Sequence, residues 1–219
     1  MNDLSGKNFI ASYSGGKDSV LAIYRAMNAG LSPASLITAY NTAADKSWFH
    51  GTRENLLYEA ADSMAIPLTL IKTTGEQYEV NFERSLSDAK KQGAEVCVFG
   101  DIDIEGHRKW CTERCENTGL IPYFPLWGEN REKLVYEFID AGFQAIITVI
   151  NTKLMEKRFL GETLSADTAD LIKKSGADIC GENGEYHTFV TDGPIFKKNV
   201  DFKINNTIER DGYVILDLQ

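Results

Sequence analysis

Asn8-Phe9-Ile10-Ala11-Ser12-Tyr13, then Ser14-Gly15-Gly16-Lys17-Asp18-Ser19, then Val20, Leu21, Ile23 and Met27 make up the stretch that decides the fold. Phe9, Ile10, Ala11 and Tyr13 form an apolar run of strand length, and the later apolar positions recur at helical spacing. The adjacent glycines between them interrupt both patterns. The reading is a buried strand, a tight loop, and a helix opening at Ser19. Adjacent glycines let the backbone turn until several N–H groups converge, and the helix adds its positive end, so an anion belongs in this loop. Lys17 adds a full positive charge there. Ser14 and Ser19 supply hydroxyl donors, and Asp18 holds the loop or helps to position a Mg2+ ion.

Downstream, the same rhythm repeats. Pro33 to Tyr40 reads as a second strand, followed by a polar loop from Asn41 to Gly51 and a helix from about Arg53 to Met64. Ile66 to Lys72 reads as a third strand, Gln77 to Gln92 as a helix through Val80, Phe82, Leu86 and Ala89, and Glu95 to Phe99 as a fourth strand ending at Gly100-Asp101. Strands alternating with helices imply right-handed crossovers and a doubly wound parallel sheet, which binds ligands at the carboxyl ends of its strands. The Gly15-Gly16 loop and the Gly100-Asp101 corner both fall at such ends.

A helix from His107 to Thr118 and the segment Pro122-Tyr123-Phe124-Pro125-Leu126-Trp127 close this first part, because two prolines in so short a run are expected to stop regular structure. The boundary is set near Gly128, giving domains 1–127 and 128–219. The second is read as smaller and of α+β class: a helix (Arg131 to Ala141), a strand (Phe143 to Ile150), a helix (Ala166 to Lys174), and antiparallel strands at Thr188 to Val190, Phe202 to Asn205 and Val214 to Leu218.

The bulk composition narrows the classes further. A net charge of −9 from 23 basic and 32 acidic side chains disfavours a nucleic-acid partner. No apolar run approaches the ~20 residues needed to span a bilayer, and the first residues lack the order of a secretory signal, so a cytoplasmic protein without membrane partners is expected. Cys97, Cys111, Cys115 and Cys180 contain no Cys-x-x-Cys pair and are expected to be reduced thiols. A homo-oligomer is compatible with all of this.

The spacing of the loop is not Walker A, whose pattern places four residues between its first glycine and the Gly-Lys pair. Ser-Gly-Gly-Lys-Asp-Ser after an apolar strand resembles instead the PP-loop signature of ATP pyrophosphatases, which cleave ATP to AMP and pyrophosphate while adenylating a substrate oxygen. A second polar cluster, Gly181-Glu182-Asn183-Gly184-Glu185-Tyr186-His187-Thr188, carries two carboxylates, an amide and an imidazole before a short strand. From spacing alone it reads as an acidic surface turn with Asn183-Gly184 as its hairpin dipeptide. Taken together, the loop, Gly100-Asp101-Ile102, Tyr123-Phe124-Pro125-Leu126-Trp127 and Cys180 to Thr188 resemble the diphthine-ammonia ligase family over nearly the full length.

That resemblance implies a Rossmann-like, HUP-type ATP-binding domain followed by a substrate domain. It implies ATP and Mg2+ bound through Ser14, Gly15, Gly16, Lys17, Asp18, Ser19, Gly100 and Asp101. Glu182, Asn183, Glu185 and His187 would lie on the substrate side, with Lys17, Glu182 and Glu185 as catalytic candidates. It further implies an ATP-dependent carbon–nitrogen ligase that adenylates a carboxylate for attack by ammonium-derived ammonia, the acceptor being a protein or a small molecule, and elongation factor two in a diphthine ligase. The sequence departs from the family pattern at Asn183, where glycine is usual, and at His187, where an acidic residue is usual. Other outcomes to separate are an RNA-thiolating enzyme, a bacterial enzyme amidating a small metabolite, and a regulatory module that holds ATP without turnover.

His107, Cys111 and Cys115 share one helix face, but three ligands on a straight helix span about 12 Å at 1.5 Å per residue and do not converge on one ion. Asp101 and Asp103 are candidates for magnesium or ammonium, or else turn acids. Asp45, Trp48, Phe49 and His50 are placed in a loop able to fold over the adenine. Arg53, Lys153 and Arg158 are candidate grips for phosphate or carboxylate.

Overall fold

The computed structural model describes residues 3–44, 46–47 and 51–219. They fall into two compact units, the first holding residues 3–14, 18–44, 46–47 and 65–128, the second residues 15–17, 51–64 and 129–219. No helix among the described residues is long and apolar enough to cross a membrane.

In chain order the elements of the first part are β1 (Asn8–Ser12), α1 (Lys17–Asn28), β2 (Ser32–Asn41), β3 (Lys46–Ser47), α2 (Glu54–Met64), β4 (Leu68–Thr73), α3 (Tyr78–Lys91), β5 (Val96–Val98), α4 (Glu105–Thr118) and β6 (Ile121–Tyr123). All but α2 and the first residue of α1 belong to the first unit. Five strands pair in parallel in the order β4-β2-β1-β5-β6, and β3 adds a short antiparallel rung on Tyr40 and Asn41 of β2. The chain thus moves outward from β1 first to one side and then to the other. That reversal makes the carboxyl end of β1 the switch point at which a doubly wound sheet binds its ligands.

Phe9, Ile10 and Ala11 are buried on both faces of the central strand, as a covered parallel sheet requires. On one face Ile10, Ile37, Ile71, Cys97 and Phe99 pack with Phe82, Leu86, Cys111 and Cys115 of α3 and α4. The buried stripe Val20, Leu21, Ile23 and Ala26 belongs to α1, which begins at Lys17, two residues before its sequence-expected start.

Pro122 is a correction to the sequence reading. It lies inside β6, in register with Cys97, instead of ending regular structure. Among the described residues β6 pairs with β5 alone, and an edge strand tolerates a residue without an N–H.

The second part runs α5 (Arg131–Asp140), β7 (Gln144–Asn151), a 3-10 turn (Lys157–Phe159), α6 (Ala166–Ser175), β8 (Tyr186–Asp192), β9 (Ile204–Arg210) and β10 (Tyr213–Leu218). Its sheet has the order β8-β7-β10-β9, with every pairing antiparallel. Asn130 caps α5 by accepting from the Lys133 N–H at 3.0 Å, and Ser165 caps α6 by accepting from the Thr168 N–H at 3.2 Å. Strand β9 sits further along the chain than expected. Asp211 and Gly212 both adopt positive φ, 53° and 85°, between the paired Arg210 and Tyr213, which is the two-residue Asp-Gly hairpin turn.

Candidate active site

Within the first unit, the flanks of the Gly15-Gly16 loop are tied to each other and to the sheet. The Ser14 hydroxyl donates to the Ser19 hydroxyl at 3.1 Å, and the Ser14 N–H points to the same oxygen at 3.3 Å. Tyr13 extends β1 by donating its N–H to Ile37 O at 2.8 Å and accepting from the Thr38 hydroxyl. Gly100, just beyond β5, lies against the start of α1: a Cβ there would stand 2.8 Å from Asp18 C and from Ser19 N. No side chain fits, so glycine lets the β5 corner reach the helix terminus.

Within the second unit, the centre of the loop lies along β8. Gly15 has φ +84°, and an added Cβ would meet the Phe189 ring at 3.2 Å. Its carbonyl accepts from the Val190 N–H at 2.9 Å, while the Lys17 N–H donates to the Thr188 hydroxyl at 3.0 Å. The loop thereby occupies an edge of β8 that would otherwise present unpaired backbone groups. Lys17 is buried, with its Nζ 5.6 Å from the centre of the Tyr186 ring. A positive charge on an aromatic face at a helix amino terminus is a ready counterpart for phosphate.

The Glu182 segment is a turn wrapped around Glu185. The buried Glu185 carboxylate accepts from Asp178 N at 3.2 Å and Asn183 Nδ2 at 3.2 Å on one oxygen, and from Asn183 N at 3.0 Å on the other. Arg131 binds Asp178 and also reaches Asn183 Oδ1 at 3.2 Å. The Tyr186 hydroxyl closes the turn on Ile179 O at 2.6 Å. Asn183, the departure from the family pattern, is thus built into the turn's own network. Glu182 and His187 are half-buried, and the His187 carbonyl accepts from the Thr148 hydroxyl at 3.4 Å. Asn183-Gly184 is not a hairpin dipeptide here, since β8 pairs with β7.

At the β5 corner, Asp101 is largely buried and paired with His107 Nδ1 at 3.3 Å, with Cys111 Sγ at 4.0 Å. Burial raises its carboxyl above the usual aspartate range, the His107 imidazole acts the other way, and nearby Asp18 adds to the rise. Asp101 and Cys111 also contribute to pushing the Tyr78 hydroxyl up to about 12, after burial itself. Asp103 is exposed. Burial is the main cause that pushes the Cys97 and Cys111 thiols up, which suits packing rather than reactivity, and His107 stands exposed apart from the buried Cys111 and Cys115.

Arg53 makes a two-pronged pair with Asp217 at 3.0 and 2.7 Å, Arg158 is exposed beside Glu156 at 3.0 Å, and Lys153 is exposed. Asp45, Trp48, Phe49 and His50 lie outside the described residues. Tyr186 and Thr188 gain their roles only in the fold, the local signal being a hydroxyl set directly before the apolar pair Phe189-Val190.

Comparison with known proteins gives a consistent result. A model of the diphthamide synthase N-terminal domain matches residues 7–122, and one of the diphthamide synthase C-terminal domain matches residues 130–216. A Homo sapiens protein named diphthine--ammonia ligase is 31% identical over 212 residues, covering 85% of this chain and 79% of that protein. Its Bos taurus counterpart is 30% identical with the same coverage. A solved chain described as a predicted subunit of tRNA methyltransferase from Methanocaldococcus jannaschii aligns with TM-score 0.45 and 15% identity, covering 88% of this chain and 100% of that chain.

Proposed function

This chain belongs to the diphthamide synthase family, and from that premise we propose that it is an ATP-dependent carbon–nitrogen ligase of the cytoplasm, which adenylates a carboxylate and exchanges AMP for ammonia. The observation that carries the reading is the placement of Lys17: it opens α1 with its side chain buried on Tyr186 and its N–H fixed by Thr188. The left-handed turn at Gly15, at the head of α1, suits a triphosphate that approaches the main chain closely. Residues 1–127 would serve the nucleotide, and 128–219 would supply the Glu182 turn to the acceptor.

In this reading an oxygen of the acceptor carboxylate attacks the α-phosphorus and the bond to pyrophosphate breaks. Lys17 and the loop N–H groups stabilise the charge that develops on the leaving group. Asp18, a half-buried hard oxygen donor, suits Mg2+, which when bound would neutralise further phosphate charge. Ammonia then attacks the activated carbonyl, the carbon–oxygen bond to AMP breaks, and the surplus proton passes to Glu182. Glu185, with both oxygens engaged by its own turn, positions Glu182 and Asn183, and His187 contacts the acceptor. The names of the relatives point to diphthine as the acceptor group, and elongation factor two would be the protein that carries it.

Incubating the protein with Mg·ATP, ammonium and a diphthine-bearing protein should release AMP and pyrophosphate in step with amide. Release of ADP would exclude attack at the α-phosphorus, and tight ATP binding without product would favour a regulatory module. Lys17→Ala should lower kcat/KM for ATP by about 2–4 kcal/mol in transition-state terms, and unchanged kinetics would remove Lys17 from the site.

A further inference from the structure

We propose that Arg108 receives the carboxylate of the acceptor at the carboxyl edge of the first sheet. This rests on the ligase reading above and adds to it the residue that recognises the acceptor.

The guanidinium carbon of Arg108, on α4, lies 4.6 Å from the centre of the Trp127 ring and 6.0 Å from that of Phe124. Its side chain is 44% exposed, and its ion-pair partner Glu105 stands at 3.9 Å, beyond hydrogen-bond reach. Among the described residues the guanidinium makes no hydrogen bond, so its fork of N–H donors faces solvent from an aromatic seat. Stacking on an aromatic ring restricts a guanidinium while leaving its N–H edge free for a planar anion.

The seat is itself fixed. Phe124 stacks on Phe99 at 5.2 Å and meets Trp127 edge-on at 6.1 Å. Gly128 N–H donates to Ile102 O at 2.8 Å, tying the segment after β6 to the corner after β5. Arg25 of α1 donates to Pro125 O at 2.8 Å, tying the same segment to the helix that leaves the phosphate loop. Arg108 is therefore held in a set position relative to Ser19 and Gly100, beside the switch point where a doubly wound sheet binds its ligands. A restrained, two-pronged donor at the carboxyl edge of the first sheet suits the second anion of the reaction. A carboxylate matches the fork geometry of arginine in a way that lysine does not reproduce.

Steady-state kinetics test this with a diphthine-bearing protein as acceptor. Arg108→Gln should raise the acceptor KM about 10- to 100-fold, as expected for losing a charge-assisted pair, while the KM for ATP stays within about twofold. Arg108→Lys, which keeps the charge but not the fork, should recover part of that loss. An ATP KM that rises in parallel would place a phosphate on Arg108 instead and overturn the proposal, as would an unmoved acceptor KM. If the wild-type protein releases no pyrophosphate with this acceptor, the ligase reading fails, yet Arg108 remains testable. Tryptophan fluorescence titrated with succinate should then saturate in the wild type and not in Arg108→Gln, and equal responses would reject carboxylate recognition there.

Discussion

The Lys17 main-chain N–H donates to the Thr188 hydroxyl at 3.0 Å, joining the first residue of α1 to the strand that follows the Glu182 turn. The bond is buried, and its partners are 171 residues apart in the chain. It fixes the orientation of the peptide that carries the loop's cation. Replacing Thr188 with Val keeps the shape but strands a buried N–H, so stability should fall by about 1–3 kcal/mol and ATP affinity should fall with it. Thr188→Ser should restore most of both. Urea unfolding and titration calorimetry read the two effects.

Gly100→Ala places a methyl group 2.8 Å from the backbone at Asp18 and Ser19, which must then separate. Overpacking against main chain costs about 1–3 kcal/mol, and here it also moves the loop. The melting temperature and the ATP affinity should both drop. Loss of stability with unchanged ATP binding would mean that the β5 corner does not set the loop geometry.

Glu185→Gln replaces one acceptor oxygen by an amide that faces N–H donors. One of the three bonds to Asp178 and Asn183 is lost, at a cost of about 1–3 kcal/mol in stability. Amide formation should slow more than ATP binding weakens. Comparing single-turnover amidation with the dissociation constant for ATP separates the two, and an equal loss in both would contradict the division of roles between the loop and the turn.

Asp101 carries a raised carboxyl pKa, so its ionisation opposes folding: the favourable contribution is present in acid and is lost as pH rises through the shifted value. The groups facing it are His107, Cys111, Tyr78 and Asp18. Asp101→Asn should therefore be more stable than the wild type near pH 8, with the difference shrinking toward pH 4, while turnover declines. Melting curves across that range check the sign.

Much of the architecture was legible because it rests on local pattern. Apolar runs of strand length separated by helical spacing foretold the parallel sheet, and the Gly15-Gly16 pair foretold a loop where the central strand ends. What was missed has physical reasons too. Pro122 suits a strand when that strand lies at an edge, and edges are a property of the assembled sheet. Strand β9 is mostly exposed and shows no apolar alternation, although Asp211-Gly212 marked its hairpin.

The sequence by itself determined a tight glycine turn at the head of the first helix with a lysine beside it, because φ preferences, charge and helix direction are local properties of a few consecutive residues. Tertiary structure alone decided that Lys17 is fastened by Thr188, that Gly100 lies against the α1 terminus, that Glu185 closes a turn, and that Arg108 is seated on Trp127. Apart from the Glu185 turn, those relations join residues that are separate in the chain, and they arise only when the folded state packs one element against another.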